Sequence, residues 1–142
     1  MKITPVTEKN FPQAAQVYRD SWRESHKDIC TPEFLQNRDC DGYLRQRLEG
    51  LYLLSDGEPV GIIRVHEGTL STLYIHPAKQ GRGYGRRLLN FALECSPSLS
   101  LTVLSSNEKA AEMYLRHGFR FTGKQQKLRS GLWEREMVRN AV

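Results

Sequence analysis

The sequence predicts an α/β (α+β) fold in which a mixed central sheet carries helices on both faces. Two features of the pattern support this class. Three short apolar runs at 51–55, 60–66 and 69–75, separated by tight turns, predict an antiparallel meander. The last run continues through a glycine-rich loop and an amphipathic helix into an apolar strand at 99–104, and such a crossover joins parallel neighbours. The 142 residues predict a single domain over 1–142.

The N-terminal segment predicts a strand followed by three helices. Residues 2–6 alternate in polarity, and Thr7 is a suitable N-cap for a helix whose apolar side chains recur near the 3.6-residue period. Thr31 followed by Pro32 indicates a second helix start, because Thr caps well and Pro suits the first helical position. A third short helix is predicted over 41–48, just before the meander.

Glycine, proline and asparagine punctuate the second half of the chain. Turns at 56–59 and 67–68 separate the meander strands, and Pro97 ends the helix that follows the glycine-rich loop. Asn107 and Gly118 bracket a further helix as N-cap and left-handed C-cap. Two closing strands are predicted at 119–123 and 131–139, joined by a basic loop or hairpin over 124–130.

The charge of the chain is divided unevenly. The formal net charge is +5, but residues 1–60 hold eight Lys and Arg against ten Asp and Glu, whereas residues 61–142 hold thirteen against six. A basic half indicates either nucleic acid or a phosphate-bearing cofactor. No apolar run is long enough for a membrane span, the start has no signal-peptide pattern, and the three cysteines fit no metal or disulfide spacing. We therefore expect a cytoplasmic protein with no membrane partner and no metal.

The glycine-rich loop predicts an anion site. Gly81, Gly83 and Gly85 alternate between a strand and a helix start, where backbone N–H groups and the helix dipole favour a phosphate. The loop is not a dinucleotide fingerprint, because Arg86 stands where that motif needs its third glycine, and no P-loop tripeptide occurs. Basic residues gather at this phosphate-sized loop and aromatic stacking positions are few, so we favour a cofactor over nucleic acid.

The motif Gln80-x-x-Gly83-x-Gly85 resembles the R/Q-x-x-G-x-G/A loop of the GCN5-related N-acetyltransferases, the GNAT family. The segment from Asn107 to Phe119 is similar to the second signature of that family. The resemblance covers nearly the whole chain, and it implies the GNAT fold, in which the central parallel strands splay apart. It also implies acetyl-CoA as co-substrate and acetyl transfer to a primary amine by direct attack in a ternary complex.

The resemblance assigns the cofactor to the loop and to the strand before it. Backbone amides over 81–86 are expected to bind the pyrophosphate, and main-chain groups near Leu73 and Ile75 to bind the pantetheine arm as an added strand binds. Lys79 and Arg87 are further candidates for phosphate contacts. The cofactor-binding residues predicted in this way are Leu73, Tyr74, Ile75, Gln80, Gly81, Arg82, Gly83, Tyr84, Gly85, Arg86, Asn107 and Tyr114.

The resemblance also implies catalytic roles. Tyr114 occupies the tyrosine of the second signature and is the candidate proton donor to the leaving thiolate. Many relatives carry a glutamate near the start of the strand before the loop, where this chain has Thr69. Glu67 lies two residues earlier, on the same face of a strand, and is one candidate base. The other candidates for the base are His66, Glu24, His26 and a water chain.

The acceptor amine is expected to enter beside the N-terminal helices. Trp22, Glu24 and His26 lie in the segment that lines this pocket in similar proteins, and the acidic balance of residues 1–60 favours a cationic amine. A small-molecule amine and a protein amino group both stay open as acceptors. A non-catalytic acyl-CoA sensor and, less favoured, a basic nucleic-acid-binding module are the alternatives to an enzyme. The closing strands are compatible with a homodimer.

Overall fold

A seven-stranded mixed sheet runs through the computed structural model, which describes residues 1–128 and 131–140. The strands are β1 (Lys2–Pro5), β2 (Leu51–Ser55), β3 (Pro59–His66), β4 (Thr69–Ile75), β5 (Leu99–Leu104), β6 (Arg120–Lys127) and β7 (Trp133–Arg139). The strand order in the sheet is β1-β2-β3-β4-β5-β7-β6, and only the central pair, β4 with β5, is parallel. This architecture confirms the predicted fold class.

Helices cover both faces of this sheet. One face packs against α4 and α5 in a core that includes Leu88, Leu101 and Met137. The other face packs against α1 and α3 around residues such as Tyr18 and Ile62. Within the described ranges, no helix is long and apolar enough to cross a membrane. The helices are α1 (Phe11–His26), α2 (Pro32–Asn37), α3 (Cys40–Arg45), α4 (Tyr84–Cys95) and α5 (Glu108–Arg116).

Two helix starts show how local signals succeed and fail. The Thr31 side chain accepts a hydrogen bond from the Phe34 N–H, so its predicted cap is confirmed. The predicted Thr7 cap is wrong, because α1 begins at Phe11 and Asn10 is its N-cap. The Asn10 Oδ1 accepts from the Thr7 N–H at 2.7 Å, so the segment between them forms a turn before the helix. The third helix is shorter than predicted and ends at Arg45.

The C-terminal hairpin is longer than predicted. Strand β6 reaches Lys127, although 124–130 reads as a loop in the sequence. The pairing with β7 slips between Phe121 and Gln125, where Gly123 has φ +95°, and then resumes. Polar residues can form a strand at this position because β6 is the edge of the sheet and its side chains are largely solvent-exposed. Residues 129 and 130 of the predicted loop lie outside the described residues.

Candidate active site

A gap opens between the two parallel strands. Thr69 and Ser100 form the single registered pair between β4 and β5, and the Ser100 N–H donates to the Gly68 carbonyl at 2.9 Å. Beyond this pair, β4 stays hydrogen-bonded to β3, and β5 stays bonded to β7. Both strands lie wholly in the described part of the chain. The splayed parallel pair expected from the family resemblance is therefore present, closed at Thr69 and open toward Ile75.

A bulge in β4 redirects its side chains at this gap. Val65 pairs with Leu70 but Arg64 pairs with Thr72, so Ser71 is an extra residue in β4. As a result, Leu70 belongs to the core beneath α4, with Leu73 and Ile75 packed against that same core. Tyr74 packs instead against the core on the α1 side. The bulge was not predicted, because no residue type in 69–75 marks it.

The free N–H groups of β4 face the gap. The His76 N–H donates to the Val60 carbonyl on β3 at 2.9 Å. Because N–H groups alternate between the two edges of a strand, the N–H of Ile75 points to the β5 side. The Ile75 carbonyl accepts from the Gln80 Nε2 at 3.2 Å and from the Ser21 Oγ at 3.5 Å. Ile75 therefore offers the gap a donor, while its acceptor is engaged.

The glycine-rich loop leaves the open end of β4. Gly81 and Gly83 have φ of +79° and +84°, and a Cβ at either position would meet no atom within 4 Å. Glycine is thus needed at both for the backbone conformation, and the space above them is open to a ligand. Gly83 is the N-cap of the twelve-residue helix α4. Gly85 is different, because its φ is ordinary and a Cβ there would contact Ile75 and Met113 at 3.7 Å.

Side chains fix this loop to the rest of the sheet. The Tyr84 hydroxyl donates to the Asp56 carboxylate at 2.6 Å in the β2–β3 turn. Lys79 forms an ion pair with Glu58, so its charge is engaged. Arg86 and Arg87 border, with Gly83, a depression of about 520 Å³ beside α4. Within the described residues, neither arginine has an acidic partner within 4 Å, which leaves both available to an anion.

Tyr114 is buried in the core on the α4 and α5 side of the sheet. The residue is 7% exposed, and its ring meets Phe119 edge-on at 5.6 Å. Burial raises the pKa of Tyr114 to about 12, with a smaller contribution from the hydroxyl of Tyr74. The Tyr114 hydroxyl therefore keeps its proton at neutral pH and suits the role of an acid. Asn107, the first residue of the second signature, caps α5 by accepting from the Ala110 N–H at 3.3 Å.

Glu67 lies at the opposite end of β4. It occupies the β3–β4 turn with φ +50°, followed by Gly68 at +76°, as a two-residue hairpin of this kind requires. Its side chain is 84% exposed, and its carboxylate lies 3.6 Å from the His66 imidazole. Glu67 precedes Ile75 by eight positions, or roughly 25 Å of extended chain. The structure does not bring Glu67 to the open end of the gap.

Of the three predicted acceptor residues, two lie in one cluster. The rings of Trp22 and His26 stack with centroids 4.3 Å apart. The His26 Nδ1 lies 2.9 Å from the Trp22 carbonyl and 2.8 Å from the Ser25 Oγ. Burial lowers the pKa of His26, so the imidazole is neutral at pH 7. Glu24 instead forms an exposed ion pair with Lys27 at 2.6 Å.

The same cluster contains residues that the sequence did not indicate. Tyr18 stacks on Tyr43 at 5.6 Å, and Tyr74 meets Tyr18 at 5.8 Å. Tyr74 was predicted as a cofactor contact, but its ring packs on this side of the sheet. We call Tyr18, Trp22, Tyr43 and Tyr74 the aromatic cluster. Its members come from α1, α3 and β4, which are far apart in the sequence, so no local sequence pattern could have shown that they lie together.

The residues present fit acetyl-CoA. The loop supplies N–H groups at a helix N-terminus below open space, the arginines beside it lack counterions, and the gap offers strand donors to an extended arm. These are the requirements of a pyrophosphate and of an amide-containing chain.

Comparisons with known proteins agree with this geometry. The curated peptidyl-lysine N-acetyltransferase YjaB of Escherichia coli (strain K12) is 36% identical over 67 residues, which cover 47% of this chain and 46% of that protein. The peptidyl-lysine N-acetyltransferase YiaC of the same organism is 30% identical over 88 residues, covering 58% of this chain and 60% of that protein. The matches thus span about half the length of these curated relatives.

Solved structures share the fold over almost the whole chain. The solution structure of the apo form of YjaB from Escherichia coli gives a TM-score of 0.74 at 22% identity, covering 99% of this chain and 98% of that chain. The PaiA N-acetyltransferase of Thermoplasma acidophilum, crystallised with coenzyme A, gives 0.73 at 17% identity with the same coverage. A family model described as acetyltransferase (GNAT) domain matches residues 12–140. The chain therefore belongs to the GNAT family of acetyltransferases, whose acetyl donor is acetyl-CoA.

Proposed function

We propose that this protein transfers the acetyl group of acetyl-CoA to a primary amine by direct attack in a ternary complex. The observation that carries the proposal is the gap between β4 and β5, which opens toward Ile75 and the glycine-rich loop that follows it. A protein lysine is one acceptor, since the curated relatives are named peptidyl-lysine N-acetyltransferases. A small-molecule amine is the other.

The donor is held mainly by backbone in this proposal. N–H groups over 81–86 bind the pyrophosphate, and Arg82, Arg86 and Arg87 contact the remaining phosphate. The pantetheine arm lies along β4, with Leu73 and Ile75 donating from its free edge. The Ile75 N–H also polarises the thioester carbonyl, because a preformed donor aimed at that oxygen stabilises the charge that develops there. Acetyl-CoA supplies the activated acetyl group.

The proton transfers are assigned to side chains on either side of the gap. Tyr114 gives its proton to the sulfur as the carbon–sulfur bond breaks and the carbon–nitrogen bond forms. The amine must reach the site uncharged, so a base takes its proton. His26 is the base candidate that stacks on the aromatic cluster, through Trp22. With Nδ1–H donating to the Trp22 carbonyl, its Nε2 carries the lone pair that accepts a proton.

The experiment combines binding with turnover. The protein is heated with and without acetyl-CoA, and free thiol release is then measured with a panel of primary amines that includes lysine peptides. We expect a higher midpoint temperature with acetyl-CoA and amine-dependent thiol release. Absence of the thermal shift contradicts the proposal. A shift without thiol release for any amine replaces it with the acyl-CoA sensor.

A further inference from the structure

A positive charge held in the aromatic cluster bears on the identity of the acceptor. We propose that Arg38 binds a carboxylate of the acceptor, so that the amine acetylated by this protein belongs to a molecule or peptide segment with a carboxylate beside that amine. This inference rests on the proposed acetyl transfer and defines the acceptor class for the same site.

The guanidinium of Arg38 is fixed among aromatic rings. Its carbon lies 4.2 Å from the ring centroid of Trp22, 4.7 Å from that of Tyr43 and 5.6 Å from that of Tyr18. The Arg38 backbone N–H donates to the Phe34 carbonyl at the end of α2, so the main chain is held as well. Ring faces attract a cation and align its plane, which orders the guanidinium before any ligand arrives.

This cation lacks an anionic partner. Within 1–128 and 131–140, no carboxylate forms an ion pair with Arg38, whose Nη1 donates to the Cys40 Sγ at 3.4 Å. This bond leaves most of its five-donor set for a ligand. A partly buried cation without a counterion has lost hydration that an incoming carboxylate can replace.

Three acidic side chains of the surrounding elements are already engaged. Among the described residues, Asp20 contacts His76 at 2.9 Å, Glu24 contacts Lys27 at 2.6 Å and Asp41 contacts Arg19 at 2.9 Å. The acidic excess of residues 1–60 therefore does not present these carboxylates to the acceptor. The charge without an ion-pair partner beside the aromatic cluster, among the described residues, is that of Arg38, which favours a carboxylate on the acceptor in addition to its amine. The sequence predicts a cationic amine from the acidic balance of residues 1–60.

Tyr74 connects Arg38 to the reacting end of the gap. Its ring centroid lies 5.8 Å from that of Tyr18, and the guanidinium carbon of Arg38 lies 5.6 Å from the same Tyr18 ring. Tyr74 directly precedes Ile75, whose N–H points to the gap. A carboxylate bound to Arg38 is therefore separated from the open end of β4 by the rings of Tyr18 and Tyr74.

Two kinds of acceptor supply this carboxylate, and matched pairs of acceptors separate them. Lysine against lysinamide tests the α-carboxylate of a free amino acid. A lysine peptide with a neighbouring Glu, against the same peptide with Gln, tests an acidic side chain beside a peptidyl-lysine. We expect kcat/KM, measured by thiol release, to be at least about 10-fold higher for the carboxylate member of one pair, as expected for a hydrogen bond between charged groups. The pair in which the carboxylate member has the higher kcat/KM shows whether the carboxylate is that of a free amino acid or of a neighbouring acidic side chain.

Variants connect this preference to one side chain. In Arg38→Gln the ratio within the responding pair falls to about 1, and in Arg38→Lys it is intermediate, because the charge remains while the planar fork is lost. Arg47→Gln is the matched control, since Arg47 also lies over the Tyr43 ring, at 3.6 Å, and donates to the Tyr43 carbonyl. We expect Arg47→Gln to keep the wild-type ratio of kcat/KM within the responding pair. Thermal midpoints are measured for all three, and Arg38→Lys carries the test if Arg38→Gln does not fold.

The failures are distinguishable. If wild-type protein acetylates both members of each pair equally well, the Arg38 inference is overturned while acetyl transfer stands. A preference that survives in Arg38→Gln overturns it in the same way and leaves Arg38 as a structural clamp. If no amine is acetylated, although acetyl-CoA stabilises the protein, the proposed function fails and the inference fails with it.

Discussion

The two sides of strand β4 are built from different parts of the polypeptide. On the donor side, the glycine-rich loop and the free edge of β4 present backbone N–H groups under open space. On the proposed acceptor side, Tyr18 packs against Tyr74, and Arg38 lies over the rings of Trp22 and Tyr43. A surface made of backbone N–H groups depends little on side-chain identity, whereas a cluster of side chains changes with each substitution. In the proposed function, the α1 side therefore determines the choice of acceptor, and the loop determines the choice of donor.

The largest expected effect is at Tyr114, the proposed proton donor. Tyr114→Phe should lower kcat by about 100-fold, because the variant cannot protonate the leaving sulfur. The KM for acetyl-CoA should change little, since the donor is held by backbone. Steady-state kinetics measure both. Tyr52→Phe is the control, because Tyr52 lies on β2, outside the gap, and packs against Phe91 on α4. Unchanged kcat in Tyr114→Phe removes the acid role.

The donor side alone is tested at Gly83. Gly83→Ala should weaken acetyl-CoA binding by about 10-fold, because a residue other than glycine resists φ +84° and the N–H groups of the loop turn away from the pyrophosphate. Calorimetry with acetyl-CoA measures this loss. Amine preference within the acceptor panel should stay as in wild type.

Gly123→Ala provides the matched control for this variant. Gly123 has φ +95°, and a Cβ there also meets nothing within 4 Å, so both changes introduce similar backbone strain. Only Gly83 lies in the loop. Equal affinity for acetyl-CoA in the two variants contradicts a phosphate-binding loop at 81–86.

The contrast between the two sides also explains what the sequence could predict. The left-handed backbone at Gly81 and Gly83, the Thr31 cap and the left-handed Gly118 depend on neighbours within a few residues, and local patterns indicated them. The C-cap of α5 itself is His117, one residue before the predicted Gly118. The aromatic cluster brings Tyr18 and Tyr74 together and places Arg38 over its rings, and no local pattern links these three residues. The Ser71 bulge has the same origin, because it is set by pairing with β3 rather than by its own residue type.

Alkaline pH tests the buried hydroxyls on both sides. Burial raises the pKa of Tyr114 and that of Tyr18 to about 12 in the folded protein. Below pH 10, the tyrosines are protonated in both states and this stability is fully present. As pH rises from 10 to 12, the unfolded chain ionises first, so stability is lost. Between pH 8 and pH 11 the free energy of unfolding should fall by on the order of 1 kcal/mol through Tyr114.

Urea unfolding at the two pH values measures this loss. Tyr114→Phe should lose less free energy of unfolding than wild type over the same interval, whatever its stability at pH 8. Tyr18→Phe should do the same on the acceptor side. An identical pH-dependent loss in wild type and Tyr114→Phe means that the Tyr114 hydroxyl titrates outside this interval.

The smallest expected effect concerns how the loop is held. The hydrogen bond between Tyr84 and Asp56 lies in solvent, and exposed bonds of this kind contribute little. Tyr84→Phe should therefore weaken acetyl-CoA binding by only about twofold, and Asp56→Asn should retain most of the bond. If the glycine backbone carries the phosphate interaction, the double variant should be no worse than Tyr84→Phe alone. A loss in Tyr84→Phe as large as that in Gly83→Ala places donor recognition in a side chain, and the division between a backbone side and a side-chain side then fails.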